Sequence, residues 1–515
     1  MEEELKSYLQ ERGLKVTTDP MKGRCLFTIK EFHPGDVIIS QEPYVFVPHR
    51  EFTNSVCHFC FAVTEVKMCS ACHYVWYCSR ECQKLDWKLH RLECRALKTL
   101  EKQWQIYVLP TIRLNVRLYI RRKLQNEKVI PTTAVDNFNL VEALVAHLSS
   151  IGADRMALFY HMANIVNNIL PWSDLQETAE NISKLEHNTV NILDSEMEPL
   201  GMGLYPLIAI TNHSCVPNSV LVFEGKLAVI RALQHIPRDS EVSISYIDTA
   251  SSTMTRQSEL QERHSFTCTC PLCCKVDEFD DMEEGAALHG YHCMDYGCNG
   301  ILLSNSADAD FICQQCGRAR TKKVDKKLLK KMKSKLAKAR DAMASNRNEE
   351  ALSLLMMHEK MQRQLCHPLS VLLMQARDGL IMRLMQQDDW LEALEYCRLT
   401  IPVYERVYPG FHPSLGVRYY LCGKLEWLAG EREKAITLLT KAVDVLRVTH
   451  GSDVPFMKDL FMKLEKAESG DPSTISASDM VKLRRPLPGA SIKLSVSELA
   501  TLANALAIEM SGASS

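Results

Sequence analysis

Twenty cysteines in a chain of 515 residues, and above all their spacing, restrict what this sequence can fold into. Seven fall between Cys57 and Cys94, four between Cys268 and Cys274, and four between Cys293 and Cys316. The chain opens Met1-Glu2-Glu3-Glu4, acidic where a signal peptide is basic and then apolar. No apolar run approaches the roughly 18–20 residues that cross a bilayer. The expected setting is therefore intracellular, where disulfides do not persist. Thiols crowded together in a reducing compartment point to zinc. Catalytic or redox thiols come singly or as one Cys-x-x-Cys pair.

The length gives a prior of about three or four domains. Hydrophobic residues at 46% and charged residues at 24% describe a globular chain with material for real cores. With 61 Lys and Arg against 63 Asp and Glu, the balance argues against whole-body nucleic-acid binding.

Residues 15–47 alternate apolar and polar, with turns at Met21-Lys22-Gly23 and His33-Pro34-Gly35-Asp36, and read as short strands. Residues 95–170 have helical spacing through Leu140, Leu144 and Leu148. Residues 200–247 return to strand: Val220–Phe223 and Leu227–Ile230 flank a Glu224-Gly225-Lys226 turn, and Val242, Ile244 and Tyr246 alternate with Ser243 and Ser245. An acidic stretch, Asp277 to Glu284, separates two cysteine blocks. From Lys322 to about residue 470 the pattern is helical, and the last 45 or so residues read as a loose tail with one short helix near Val496–Met510.

The helical region repeats itself. Glu350-Ala351-Leu352, Glu392-Ala393-Leu394 and Lys434-Ala435-Ile436 are 42 residues apart, and the last copy carries Gly430, Ala435, Leu439 and Ala442 at the spacing of a tetratricopeptide helix pair. An ordinary irregular bundle is the alternative. The basic run from Lys322 to Arg340 suggests a nuclear signal, but Leu329, Met332, Leu336 and Ala339 fall at helical spacing. An amphipathic helix with a solvated lysine face explains it more simply.

The first block runs Cys57-x2-Cys60-x8-Cys69-x2-Cys72-x5-Cys78-x3-Cys82-x7-His90-x3-Cys94. Eight ligands make two closed tetrahedra, which leave no open position for substrate, so this metal is structural. His58 and His73 fall off the pattern and read as surface residues. Cys293-x4-Cys298-x14-Cys313-x2-Cys316 has the ligand count and spacing of a small zinc ribbon.

The eight-ligand run resembles a MYND finger. The resemblance implies interleaved sites, Cys57, Cys60, Cys78 and Cys82 on one zinc and Cys69, Cys72, His90 and Cys94 on the other. It also implies either a proline-rich peptide as partner or a purely bracing role. Further on, Gly201-Met202-Gly203, Asn212-His213-Ser214-Cys215, Ser245-Tyr246 and Cys268-x-Cys270-x2-Cys273 follow in an order that resembles a SET domain with its post-SET zinc site. With the finger inserted after the first strands and helical repeats at the end, the chain resembles the SET and MYND domain (SMYD-type) protein-lysine methyltransferases over about residues 10–470, and plant members most.

That resemblance implies an α+β chain, a β-rich SET fold split by the finger and followed by TPR-like helices. The expected division is SET 10–48, MYND 49–98, a helical insertion 99–199, SET core 200–250, post-SET 251–276, a cysteine-rich insert 277–321, repeats 322–470 and tail 471–515. It implies S-adenosylmethionine as cofactor, zinc in the finger and the post-SET site, and methyl transfer to histone or other lysines; a further zinc in the insert is expected from its spacing alone, with loose surface cysteines as the alternative. The reacting amine must be neutral and aligned with the methyl, and a narrow apolar channel disfavours ammonium.

Tyr246 matches the family's catalytic tyrosine, with Phe266 beside it. Lys22, Gly23 and Arg24 match the turn that meets the cofactor carboxylate. Asn212, His213, His147 and Asn188, with Tyr246 and Phe266, match its other contacts. Cys215 completes the post-SET set Cys268, Cys270 and Cys273, with Cys274 an extra thiol next door. One departure stands out: His264 replaces a second channel tyrosine, and altered catalytic strength and methylation number are expected. The rival reading is a MYND and repeat adaptor with a degenerate SET fold, and a zinc-based DNA binder is weaker still. The chain is expected to be monomeric, nuclear and cytoplasmic, with no membrane association and no strong nucleic-acid binding.

Overall fold

Alternating apolar residues pair Leu14–Asp19 antiparallel with Gly23–Thr28, and the tight connection relies on Gly23 at φ 76°. In this computed structural model, residues 2–98, 108–274, 285, 287–293, 295, 297–298, 300–304, 310–345 and 347–470 are described. The expected tail helix and the acidic stretch lie outside them.

The hairpin Ser219–Glu224 and Leu227–Ala232 forms, turned at Gly225, and its second strand pairs with Val37–Gln41. A second sheet sets Pro199–Leu204 between Val45–Pro48 and Thr189–Leu193. Leu14, Leu26, Ile38, Ile39, Ile230 and Ile244 lie in one core between these small sheets. Two short parallel strands, Asn212–His213 and Ser243–Ile244, bring residues from two distant stretches side by side.

The expected helical span 95–170 is broken. Helices cover Arg80–Lys98, Pro110–Asn126, Phe138–Glu142 and Ala153–Ile169. Asn137 caps the short third helix, and the chain then turns through His147 in the left-handed region at φ 51°, so Leu148 is not on a helix face with Leu144. Leu140 and Leu144 pack into two different cores and Leu148 is exposed, so the apolar spacing is not one buried helix face, a difference that periodicity alone does not reveal.

Helix Pro110–Asn126 joins the finger to the rest. Ile112, Val116, Ile120 and Leu124 pack into the finger's core, while Leu114 and Leu118 pack on Tyr44, Val45 and Val47 of the SET sheet. Between those two stripes, Arg113 and Arg117 occupy positions i and i+4 of one face. Arg113 Nε donates to Glu93 Oε1 at 2.7 Å, and Arg117 donates to Glu93 Oε2 at 2.8 Å and Asp86 Oδ1 at 2.6 Å. All four side chains are buried. His58, expected at the surface, is 1% exposed: its Nδ1 meets Arg113 at 2.9 Å and its Nε2 the Thr53 carbonyl at 2.8 Å. Its burial follows from the Arg113 it partners, a contact that no local pattern reveals. His73 is exposed, as expected.

The repeats are helix pairs: Asn348–Arg363 with Val371–Gln386, Trp390–Val407 with Pro413–Leu428, and Arg432–His450 with Pro455–Ser469. Ala351, Ala393 and Ala435 are each fully buried, as the 42-residue period requires. A Cβ on Gly416 would lie 2.7 Å from Leu446, so the last pairs approach too closely for any side chain there. The helix Lys322–Ala344 buries Met332, Ala339 and Ala342 and exposes Lys330, Lys331, Lys333 and Lys338, a solvated basic face.

The repeats also grip the SET core. Tyr408 donates to Asp248 Oδ1 at 2.6 Å, and its ring stacks on His412 with centroids 4.3 Å apart. Burial holds His412 down to about 4, so the ring is neutral.

Arg117→Met removes one partner of a buried network, strips the Asp86 carboxylate of its cation and leaves Glu93 with Arg113 and His90 alone. Such losses cost about 3–5 kcal/mol. Thermal unfolding followed by circular dichroism should show a clear fall in the finger's transition; an unchanged melting profile contradicts the bracing role.

Candidate functional site

Four groups of ligand atoms come together, each with its atoms within 4.8 Å of one another: Cys57, Cys60, Cys78 and Cys82; Cys69, Cys72, His90 and Cys94; Cys215, Cys268, Cys270 and Cys273; Cys293, Cys298, Cys313 and Cys316. The interleaving in the finger follows from its hairpin Lys67–Met68 with Trp76–Tyr77, which folds the second ligand pair over the first. Hydrogen bonds from Cys60 and Cys215 lower the Cys57 and Cys270 thiols and raise their own in return, as thiols crowded at one point do. His90 turns Nε2 toward Cys72 and gives Nδ1 to Glu93 Oε2 at 2.9 Å. Glu93 is thus the outer carboxylate that orients a ligating histidine, and the grouping of Asp86 with His90 and Glu93 belongs to this support. Cys274 is exposed and stands outside the post-SET group, its thiol 3.4 Å from the Thr269 carbonyl. The insert group sits at the end of a four-stranded sheet, Tyr291–His292, Ile301–Ser304, Asp310–Cys313 and Ala319–Thr321.

A cluster of rings lies where the parallel strands meet the segment that carries Cys268, Cys270 and Cys273. Tyr246 lies 5.4 Å from the His213 ring, 4.8 Å from His264 and 6.4 Å from Phe266, centroid to centroid. Its hydroxyl donates to the Thr211 carbonyl at 2.6 Å, and burial pushes its pKa well up, so it stays a phenol. The Tyr246 backbone N–H donates to His213 Nδ1 at 3.0 Å, and His213 Nε2 lies 3.3 Å from the Cys215 sulfur. Both ring nitrogens are therefore engaged, and the His213 ring braces the tyrosine and the post-SET group. Burial holds the His264 ring down to about 4, so the ring is neutral.

The Lys22–Arg24 turn lies beside Asn212. The Asn212 amide donates to the Arg24 carbonyl at 3.2 Å and to Glu241 Oε1 at 3.0 Å, and Lys22 pairs with Glu241 Oε2 at 2.6 Å. Glu241 is the residue that sequence reasoning missed; its only local signal is a carboxylate just before the Val242–Tyr246 alternation. Asp19 Oδ1 accepts from the backbone N–H of Met21 at 2.8 Å and Lys22 at 2.9 Å, so the turn is rigid. Nothing approaches Gly23 within 4 Å of a built Cβ, so its outer side is open. Burial lowers the Arg24 pKa with no carboxylate to offset it.

Asn188 and His147 adjoin one another: the Asn188 amide donates to the Val145 carbonyl at 3.2 Å, and the rings of His147 and His187 lie 5.0 Å apart. Through His187 this pair reaches His264. The sequence expectation thus brings together Tyr246, His264, Phe266, Asn212 and His213 in one place, with Lys22 and Arg24 joined to it through Asn212.

The MYND finger family matches residues 57–94, and the tetratricopeptide repeat family matches residues 374–447. Histone-lysine N-methyltransferase ASHR1 of Arabidopsis thaliana is 50% identical over 468 residues, 90% of this chain and 98% of that protein. The chain belongs to the SET and MYND domain (SMYD-type) protein-lysine methyltransferases. N-lysine methyltransferase SMYD2 of Sus scrofa is 26% identical, over 88% of this chain and 98% of its own length. A solved SET domain, LSMT bound to lysine and AdoHcy, is 11% identical and aligns with a TM-score of 0.25, covering 93% of this chain; at that score the likeness carries no argument. As a family member this chain is an enzyme, and the adaptor and DNA-binder readings fall away.

Proposed function

We propose that the ring cluster around Tyr246 is the lysine channel of this methyltransferase and that histone or other protein lysines enter it. The observation that carries this reading is the convergence of Tyr246, His264 and Phe266 on the Asn212–His213 strand, to which Asn212 joins the Lys22–Arg24 turn from before the finger. The half-buried Arg24, with no carboxylate partner recorded among the described residues, beside Lys22 and the open face of Gly23, fits the carboxylate of S-adenosylmethionine. The Asn212 side chain adjoins the same turn. When bound, S-adenosylmethionine supplies an electrophilic methyl that the amine displaces in line.

The chain's own residues do the rest. Aromatic walls exclude water and so disfavour ammonium, leaving a neutral amine. The Tyr246 hydroxyl spends its proton on Thr211, so its oxygen faces the channel as an acceptor. The Thr211 carbonyl adds a second electron-rich oxygen, and such oxygens attract polarised C–H groups. Neutral His264, its ring against Tyr246, offers one accepting nitrogen where the usual tyrosine would offer a hydroxyl. The post-SET group ties Cys215 beside His213 to the flap carrying Phe266, closing one wall.

Tyr246→Phe should lower kcat by about 10²-fold, the usual cost of one misplaced polar group in such a site, while calorimetry shows cofactor binding intact. Loss of binding instead would make Tyr246 a structural residue. His264→Tyr should change the rate and the ratio of mono- to higher methylated lysine in mass spectra; identical products at an identical rate would sink its proposed role.

We also propose that all four cysteine groups hold zinc, two ions in the finger, one in the post-SET site and one in the insert. Elemental analysis of the purified chain should give four equivalents, and Cys270→Ser should remove one. A count unaltered by that substitution removes the post-SET assignment.

A further inference from the structure

Lys22 and Arg24 place two cations on one turn beside Asn212. The cofactor they fit ends in an α-amino acid, which carries a carboxylate and an ammonium on the same carbon. Two cations alone would attract the first charge and repel the second. Glu241 stands with them. It comes from beyond the finger in sequence, and its backbone bridges to Phe27 of the strand Gly23–Thr28.

The backbone around Glu241 is fixed. Asn218 Nδ2 donates to the Glu241 carbonyl at 2.8 Å, and the next N–H, of Val242, donates to the Leu26 carbonyl at 2.8 Å. The carboxylate is aimed as well: Oε1 accepts from the Asn212 amide at 3.0 Å and Oε2 from Lys22 Nζ at 2.6 Å. An ionised carboxylate has about four acceptor positions, so these two bonds leave about half of them open. The Glu241 side chain is 22% exposed and that of Lys22 53%. An ion pair so wet adds little to stability, unlike the sealed cluster around Glu93. Asp19, the other acid of the turn, has Oδ1 committed to the Met21 and Lys22 backbone N–H groups. Burial and the Glu241 charge both raise the Tyr246 pKa, which puts this carboxylate within electrostatic reach of the ring cluster.

We propose that Glu241 receives the ammonium of the cofactor's amino-acid end while Lys22 and Arg24 receive its carboxylate, so that the site selects an α-amino-acid zwitterion. In the free chain Lys22 and Glu241 neutralise one another, and the bound head group lays its two charges across theirs. This role rests on the cofactor site proposed above. Glu241 then sets specificity: an adenosine thioether that keeps the carboxylate but lacks the amino group forfeits a charge-assisted hydrogen bond.

The test is titration calorimetry of the full chain with two probes, S-adenosylhomocysteine and its analogue lacking only the α-amino group, the weaker one measured by displacement. The unaltered chain should bind the first at least about ten-fold more tightly, the usual weight of one hydrogen bond to a charged group. Glu241→Gln should erase that preference by weakening the first probe while the second stays within about two-fold. Lys22→Met removes a partner of the carboxylate common to both probes, so it should weaken both alike and keep the preference. The proposal is overturned if the unaltered chain ignores the amino group, if the preference survives Glu241→Gln, or if Glu241→Gln weakens both probes together, which makes Glu241 a brace of the turn. Loss of the preference in Lys22→Met overturns it too, since Glu241 would then act only through Lys22. Failure of the unaltered chain to bind either probe overturns the cofactor site itself, whereas binding without an amino-group preference overturns the role of Glu241 alone.

Discussion

Everything distal to the finger depends on Glu93. Its two oxygens receive Arg113, Arg117 and, through the ring of a zinc-ligand position, His90. One buried carboxylate therefore joins three things: the metal-binding half of the finger, the helix Pro110–Asn126, and by way of that helix the SET sheet. Nearby charge and hydrogen bonding hold it ionised despite complete burial, with Arg113 and Arg117 as the chief partners opposing desolvation. A buried ion pair of this kind adds little net stability over an apolar replacement, but it tolerates no loss of a partner. It fixes the finger in one orientation where an apolar contact would let it slide.

The zinc positions were legible because ligand chemistry imposes spacing on the chain itself. All sixteen ligand positions expected from sequence fall into four groups of the expected membership. The repeats were legible for a related reason: a fixed period puts Ala351, Ala393 and Ala435 at equivalent close approaches. Tyr246, Asn212 and His213 came from family motifs, and their meeting depends on the short parallel pairing of Ser243–Ile244 with Asn212–His213. That pairing joins segments thirty-one positions apart, and no local pattern encodes it.

What the sequence hid is charge that acts across long separations. Glu241 joins Lys22 to Asn212, yet it lies far along the chain from Lys22. His58 reads as a surface histidine until Arg113 is placed against it. The failed helical reading of 140–148 has a different origin. Leu140 and Leu144 are spaced for a helix, but His147 in the left-handed region ends any continuation.

The hydrogen bond from Tyr408 to Asp248 has a mechanical meaning. The repeats form an arm, and the point where that arm is fastened lies two residues from Tyr246, on the wall of the proposed channel. Any swing of the arm must either break this fastening or tug the strand that sets the tyrosine's aim. Whatever the arm grasps is thus felt as tension at the place of chemistry, making the arm a lever as well as a wall.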